Sequence, residues 1–202
     1  MRCRTTIPQG SIGLVRAMDR IDKAINRLWG PIGEDGRLSA EPSFALELAN
    51  QCKQNLSLQT FKVSKWSFGR QLEHLYLSSH YVLDRVEESL SGNNASEHMG
   101  FYGVGLMVGG FIPRYVFPTI PPLEPVGGTM DQIQPLKDRL RSRLESIRWD
   151  LQQIHASQGK SLHPRMKYLT ASQWLYFADI HHRHHLAIIR DICNVADDRI
   201  AA

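Results

Sequence analysis

Apolar residues recur at the three- and four-residue spacing of amphipathic α-helices along most of the chain. This periodicity predicts long helices over residues 11–29, 67–90, 130–156 and 171–195, and a shorter helix over residues 44–56. Breaking and capping residues agree with these limits, because Gly30 and Pro31 follow the first helix and Thr170 precedes the last. Outside the segment between the second and third long helices, no alternating run of β-branched residues predicts a sheet. The pattern therefore favours an all-α fold built as a helical bundle.

The second and third long helices are separated by a segment rich in glycine, proline and aromatic residues, HMGFYGVGLMVGGFIPRYVFPTIPPLEPVGG. A turn within a bundle needs only about two to eight residues, so we interpret this segment as a long crossover with a short helix near residues 99–109. Its glycines do not lead from a strand into a helix, and no Lys-Ser or Lys-Thr pair ends them. The segment therefore predicts neither a dinucleotide-binding fingerprint nor a P-loop.

The size and composition of the chain are those of an ordinary globular protein. Of its 202 residues, 42% are hydrophobic and 22% are charged, and this length favours one domain over residues 1–202. No apolar run approaches the roughly 20 residues of a membrane span, and the first residues lack the apolar core of a signal peptide. We therefore expect a cytoplasmic protein with no membrane partner.

Charge and cysteine usage argue against two further classes of site. Residues 136–150 carry much of the basic character, but acidic and apolar residues interrupt the arginines, as on a solvated helix face. A nucleic-acid surface would need a stripe of one charge with aromatic residues along it, so we expect no nucleic-acid partner. Cys3, Cys52 and Cys193 have no CxxC spacing, which favours free thiols over a disulfide framework or a thiolate metal site.

Four of the nine histidines crowd into five positions of the last predicted helix, within the segment DIHHRHHLAIIRDI. On a helical wheel at about 100° per residue, His181 and His185 fall in the middle of the apolar arc. His182 and His184 lie toward its two edges. Asp179 falls on the opposite side, which we expect to be solvated.

Two interpretations of this cluster remain open from the residues alone. An i, i+4 pair such as His181 and His185 places two imidazoles one turn apart on one face, where both can reach one metal ion. Alternatively, buried imidazoles only hydrogen-bond across the bundle, which we expect of His182 and His184. The HxxxH spacing lacks the glutamate that would mark a zinc protease. A metal would need a further ligand, and the pattern leaves His74, off the apolar stripe of the second helix, undecided.

Two motifs resemble the DinB-like (DinB/YfiT-like) family of metalloenzymes. The segment KWSFGRQLEHL is similar to that family's W-S-x-x-x-x-L-x-H-L pattern, and HPRMKYLTASQWLYFADIHHRHHLAIIRDI resembles its closing helix. The aromatic and proline-rich YVFPTIPPLEP resembles one subgroup. The matching residues are Trp66, Ser67, Leu72, His74 and Leu75 in the first motif, and His163, Pro164, Leu169, Thr170, Trp174, Phe177, His181 and His185 in the second. The chain departs from the subgroup at Lys167 and Tyr168, near which a glycine is common, and its first forty residues do not align.

The resemblance implies a four-helix bundle of up-down-down-up topology that is often a homodimer. It also implies a divalent metal ion, for which we expect zinc or nickel, held by His74 of the second helix and by His181 and His185 of the fourth. The position of His74 off the apolar stripe then fits, because a ligand must face a polar, water-accessible cavity.

The main functional hypothesis is a metal-dependent enzyme acting on a small molecule, either a low-molecular-weight-thiol transferase or a hydrolase using metal-bound water. The alternative is a non-catalytic metal-binding bundle that serves as an interaction or stress-response protein. Asp84 and Glu88 are candidates for carboxylates behind the metal ligands. Imidazoles with the usual pKa near 6.5 would release protons on binding an ion, so affinity should fall on acidification.

Overall fold

A computed structural model describes residues 19, 22–30, 56–94, 96–114 and 118–200, with the backbone alone for residues 196–200. The helices are α1 at 22–29, α2 at Phe68–Leu90, α3 at Phe101–Gly109, α4 at Met130–Ser146, α5 at Leu151–Ala156 and α6 at Ala171–Ile200, with a short 3-10 helix at Pro121–Leu123. Two strands, β1 at Lys160–His163 and β2 at Lys167–Thr170, form an antiparallel hairpin. The described part is mostly helical, as the periodicity predicts. The up-down-down-up order of a four-helix bundle stays a prediction.

The ends of the long helices follow from local hydrogen-bonding chemistry. Helix α2 begins after Ser67, whose hydroxyl accepts the backbone N–H of Arg70. Helix α6 begins after Thr170, and here the Gln173 side chain reaches back to the Thr170 N–H in a capping box. Helix α1 ends immediately before Gly30, whose φ of 79° is the left-handed conformation that favours glycine. The predicted helix over residues 44–56 falls almost wholly outside the described residues.

Helix α2 is central to the core because it packs against both α4 and α6. Each of these helices turns an apolar stripe toward the others, as the spacing of the sequence requires. Fully buried members include Leu75, Leu83 and Val86 of α2, Leu140 and Leu144 of α4, and Trp174, Leu175 and Ile189 of α6. The metal-candidate histidines therefore lie on two helices that the core holds side by side.

The third long helix does not run unbroken over residues 130–156, as the periodicity predicts. Helix α4 ends at Ser146, residues 147–150 are extended, and Asp150 caps α5 by accepting the N–H of Gln152. The break buries Trp149, whose ring meets the ring of Trp29 edge-on at 5.5 Å. Tertiary burial of an aromatic side chain thus outweighs the helical spacing.

The β hairpin is a second feature that the sequence did not predict. Its turn is completed by Lys167, which has a φ of 62°, a left-handed conformation that is more usual for glycine. Ser161 of β1 is fully buried and its hydroxyl lies 2.9 Å from that of Ser89 at the end of α2. The hairpin is therefore fixed to α2 and leads directly into α6.

The segment that precedes α4 is bound closely to α2. The carboxylate of Glu73, only 3% exposed, accepts three backbone N–H groups, from Val126 at 3.0 Å, Gly127 at 3.2 Å and Gly128 at 2.6 Å. A Cβ atom at Gly69 would come within 2.0 Å of the Gly128 carbonyl oxygen, so the two backbones can approach only because residue 69 is glycine. This contact places the chain from Leu123 to Gly128 against the helix that carries His74.

Two expectations outside the metal-candidate residues are wrong. Asp179 is fully buried, because α1 covers the side of α6 that the wheel assigns to solvent. Its carboxylate binds Arg27 of α1 at 2.6 and 2.7 Å and Arg183 at 3.1 Å. Cys193 is disulfide-bonded and is not a free thiol. Among the described helices, none combines the length and apolar character needed to cross a bilayer.

Candidate metal centre

The imidazoles of His74, His181 and His185 converge at one point between α2 and α6. The Nε2 atom of His181 lies 3.2 Å from Nε2 of His74 and 3.2 Å from Nε2 of His185. One ring nitrogen from each residue lies within 4.8 Å of the other two. The i, i+4 spacing brings His181 and His185 together, and the packing of α2 on α6 adds His74. The three residues expected as ligands are thus neighbours in space.

The ring of His74 is oriented by the main chain of the segment before α4. His74 is 3% exposed, and its Nδ1 lies 2.7 Å from the carbonyl oxygen of Leu123. A carbonyl oxygen only accepts hydrogen bonds, so Nδ1 carries the proton and donates it. The Nε2 atom of a neutral His74 therefore presents a lone pair to the centre.

The ring of His185 is oriented in the same way by a side chain of α2. Its Nδ1 lies 2.6 Å from Oε1 of Gln71, while the Gln71 amide nitrogen donates to Oγ of Ser64 at 2.9 Å. Because the Ser64 contact uses the NH₂ group, the amide presents its oxygen to His185. The Nε2 atom of His185 consequently also presents a lone pair. Gln71 is 2% exposed, so water does not compete for this bond.

The three ring nitrogens that face one another have at most one proton between them. Nε2 of His74 and Nε2 of His185 are both acceptors, and His181 can offer at most one N–H between them. At least one pair of nitrogens 3.2 Å apart therefore has no proton to share. A cation placed among the three nitrogens would satisfy all three lone pairs.

The spacing of these nitrogens suits a single ion. Two ligand atoms at about 2.0–2.1 Å from one zinc ion lie roughly 3.0 Å apart at a right angle and roughly 3.4 Å apart at the tetrahedral angle. The two contacts of 3.2 Å fall between these values. The donor set of three imidazole nitrogens within 4.8 Å of one another is therefore compatible with a single divalent ion.

Burial keeps these histidines neutral. Desolvation lowers the pKa of His74 to about 4, against a smaller raising effect of its bond to Leu123. Desolvation, with the neighbouring imidazoles adding to it, places the pKa values of His181 and His185 well below the usual 6.5. At neutral pH the three side chains are therefore already in the form that binds metal.

A cavity of about 160 Å³ opens beside the three histidines. Its walls are mostly apolar and include Leu106 of α3 and Phe177 of α6, together with Tyr81 and Tyr102. Trp66, from the first family motif, lies outside this wall and stacks nearly parallel to His185, with ring centres 6.4 Å apart. The centre is thus flanked by the ring of Trp66 on one side and adjoins, on another, a cavity of the size that holds one benzene-sized molecule.

The other histidines of the cluster make ordinary hydrogen bonds, in agreement with the expectation for them. His182 is 2% exposed, and its Nδ1 donates to the Ala178 carbonyl oxygen at 2.7 Å while its Nε2 lies 3.0 Å from Ser79 Oγ. His184 bonds to the backbone of Ile112. Neither residue belongs to the group of three histidines whose ring nitrogens converge.

The proposed second layer of carboxylates is wrong. Asp84 pairs with Arg143 at 2.7 Å, and Glu88 pairs with Arg85, so both acids are occupied by arginines away from the three histidines. Gln71 and the Leu123 carbonyl take the place expected for them. Gln71 could have been found from its position three residues before His74, on the same helix face. No side-chain signal could reveal Leu123, because a main-chain oxygen makes the contact.

Comparisons with known proteins agree with this picture. A family model for the DinB superfamily matches residues 20–189, which include all three convergent histidines. Comparisons with curated proteins and with solved structures give no significant match. The match covers well over half of the chain, and the chain therefore belongs to the DinB superfamily.

Proposed function

We propose that His74, His181 and His185 bind one divalent metal ion, zinc or nickel, and that the protein is a metal-dependent enzyme acting on a small molecule. The observation that carries the proposal is the meeting of three imidazole Nε2 atoms with too few protons to hydrogen-bond to one another. Membership of the DinB superfamily supports the same ligand set.

The chain contributes orientation, neutrality and shelter. Leu123 and Gln71 hold two of the rings with their Nε2 atoms toward the centre. A divalent ion bound by three neutral ligands would keep its full charge. It would lower the pKa of a bound water or thiol toward neutrality. The adjoining cavity gives a substrate access to the same point. These properties suit transfer of a low-molecular-weight thiol, or hydrolysis by activated water.

The cavity favours catalysis over the alternative of a non-catalytic metal-binding or interaction bundle. Structural metal sites are usually closed by four protein ligands, whereas catalytic sites keep a position open. Among the described residues, the group of potential ligands consists of three histidines. An ion held by these three residues would have a further position for water or substrate.

The test combines metal binding with turnover. Metal-free protein should bind one equivalent of zinc or nickel in a calorimetric titration. The loaded protein should then either consume a small thiol in the presence of an electrophilic acceptor or hydrolyse an activated ester. His74→Ala is the control and should show neither. Absence of stoichiometric binding by the wild-type protein would refute the proposal, and binding without any turnover would favour the non-catalytic alternative.

A homodimer is also proposed, on the family resemblance alone. Sedimentation at several protein concentrations would report the mass. A monomer would remove this part of the proposal without affecting the histidine site.

A further inference from the structure

The loop of the β hairpin places a fourth histidine against the cavity, and the metal centre does not use it. Nδ1 of His163 accepts two backbone N–H groups, from Arg165 at 3.1 Å and Met166 at 3.1 Å. A nitrogen that accepts two hydrogen bonds carries no proton, so the ring is neutral and its proton is on Nε2. The turn itself therefore selects the tautomer of His163.

This Nε2–H group is held in place and is free to donate. The ring of His163 packs against Trp174 and Phe177, with centres 5.1 and 4.8 Å apart, so it cannot turn without disturbing the core. The same ring lines the cavity shared by the three convergent histidines. Within the described ranges, no protein group accepts a hydrogen bond from its Nε2. The cavity therefore contains a donor at a fixed position.

The charges of the cavity wall favour an anionic acceptor for that donor. Among the described residues, those lining the cavity include Arg165, next to the same turn, and no carboxylate. The Arg165 guanidinium donates to the Pro118 carbonyl oxygen at 2.9 Å, which holds its positive charge beside the cavity. Most of the remaining wall is apolar, including Leu106 and Ile112. A ligand that complements such a wall has an apolar body and one negatively charged oxygen group.

We propose that His163 is a positioning residue whose Nε2–H donates to a carboxylate oxygen of a small amphipathic ligand bound in the cavity beside the metal. The apolar body of that ligand lies against Leu106 and Phe177. This inference rests on the proposed metal site and deepens it by naming the chemical class of the ligand.

The test uses cobalt-loaded protein and benzoate, which joins a carboxylate to a flat apolar ring. Cobalt binding by the wild-type protein is measured first from its visible absorption, and benzoate is then titrated while that spectrum is followed. His163→Gln and His163→Glu form a matched pair, because both offer an oxygen to the two N–H groups of the turn but only Gln also offers a donor. His163→Phe removes the donor without adding charge, and His155→Phe removes a histidine outside the cavity.

We expect benzoate to bind the wild-type, His163→Gln and His155→Phe proteins with similar affinity. Binding should weaken about ten- to hundredfold in His163→Glu and His163→Phe, which is the range for a hydrogen bond to a charged group. Benzylamine, of similar shape and opposite charge, should not bind. Equal benzoate affinity in the Gln and Glu variants overturns the inference even if the Phe variant fails to fold. If the wild-type protein binds cobalt but its spectrum does not respond to benzoate, the inference about His163 is wrong and the metal site stands. If the wild-type protein does not bind cobalt, the proposed metal site is wrong as well.

Discussion

His182 and His185 are both buried in α6, yet their imidazoles have different partners. His185 presents Nε2 to the convergence point, whereas both nitrogens of His182 are occupied by Ala178 and Ser79. We predict that His181→Ala and His185→Ala each abolish stoichiometric metal binding, because the two remaining imidazoles cannot replace a ligand. His182→Ala should keep the metal and lose about 1–3 kcal/mol of stability, since it removes buried hydrogen bonds.

Calorimetric titration with zinc and urea denaturation would measure these two effects separately. Equal loss of metal in all three variants would show that the inward face of α6 has been assigned wrongly.

A second prediction concerns the residue behind His185. Gln71→Leu removes the acceptor of the His185 Nδ1–H group and frees the ring to rotate. Metal affinity should fall about 10- to 100-fold, as is usual when the partner behind a metal-bound histidine is lost. Gln71→Glu keeps an acceptor and should retain most of the affinity. Competition with a chromophoric chelator would measure it, with the exposed Gln152→Leu as control. Unchanged affinity in Gln71→Leu would contradict the orienting role.

At the scale of single residues, the sequence predicts the candidate ligand histidines better than the groups that orient their rings. The HxxxH spacing marks His181 and His185 as a possible pair, and the family resemblance adds His74. Gln71 acquires its role only when α2 packs on α6. His163 becomes notable only when the hairpin turn fixes its proton, and the sequence does not predict that hairpin.

Between elements, the buried carboxylate of Asp179 joins α1 to α6. Arg27 binds it from α1 with two nitrogens, and Arg183 binds it from within α6. We predict that Arg27→Leu lowers stability modestly, because Arg183 still partners the carboxylate. Replacing both arginines should cost about 3–5 kcal/mol, the range for a buried charge left unpaired. Urea denaturation of the single and double variants would measure these costs, and an additive pair of small effects would contradict the network.

The helical wheel wrongly assigns Asp179 to the solvated side of α6, which shows what hydrophobic periodicity cannot predict. A helical wheel separates polar from apolar positions, but it cannot tell a charge facing water from a charge facing an arginine on a neighbouring helix. The same limit applies to residues 147–150, where spacing continues the helix and the burial of Trp149 ends it. Periodicity predicts the long helices α2 and α6 well, because their stripes and caps agree.

For the whole molecule, the buried histidines make the metal-free protein sensitive to acid. His74 and His182 have pKa values of about 4 in the folded state against 6.5 when unfolded, so between these values the unfolded chain binds more protons. Stability is therefore complete above pH 6.5 and falls as the pH drops toward 4, by up to roughly 3 kcal/mol for each such histidine. Urea denaturation across this range would measure the slope. A flat profile in the metal-free protein would contradict it.

The same low pKa values change the pH range expected for metal binding. Unperturbed imidazoles would lose the ion on approaching pH 5. Burial lowers the pKa of His74 to about 4 and holds the pKa values of His181 and His185 well below 6.5, so the folded protein keeps these rings neutral to lower pH. We predict that excess zinc raises the melting temperature at pH 7.5 and still raises it at pH 5, where unperturbed imidazoles would already have lost the ion, and that the gain declines at lower pH. Thermal unfolding with and without zinc would test this. The His74→Ala protein should show no gain at either pH, and a gain there would place the ion elsewhere.

The bond from His74 to Leu123 has a consequence for how relatives of this chain can vary. A main-chain carbonyl is present whatever residue occupies position 123, so substitutions there leave the acceptor in place. The position of the Leu123 oxygen depends instead on the number of residues between Leu123 and Gly128, because the Glu73 carboxylate fixes Gly128 to α2. In relatives, the side chains at positions 123–126 can therefore vary more readily than the glycine at 128, which has a φ of 71° and no room for a Cβ atom. A single insertion or deletion in this stretch would move the oxygen away from the ring.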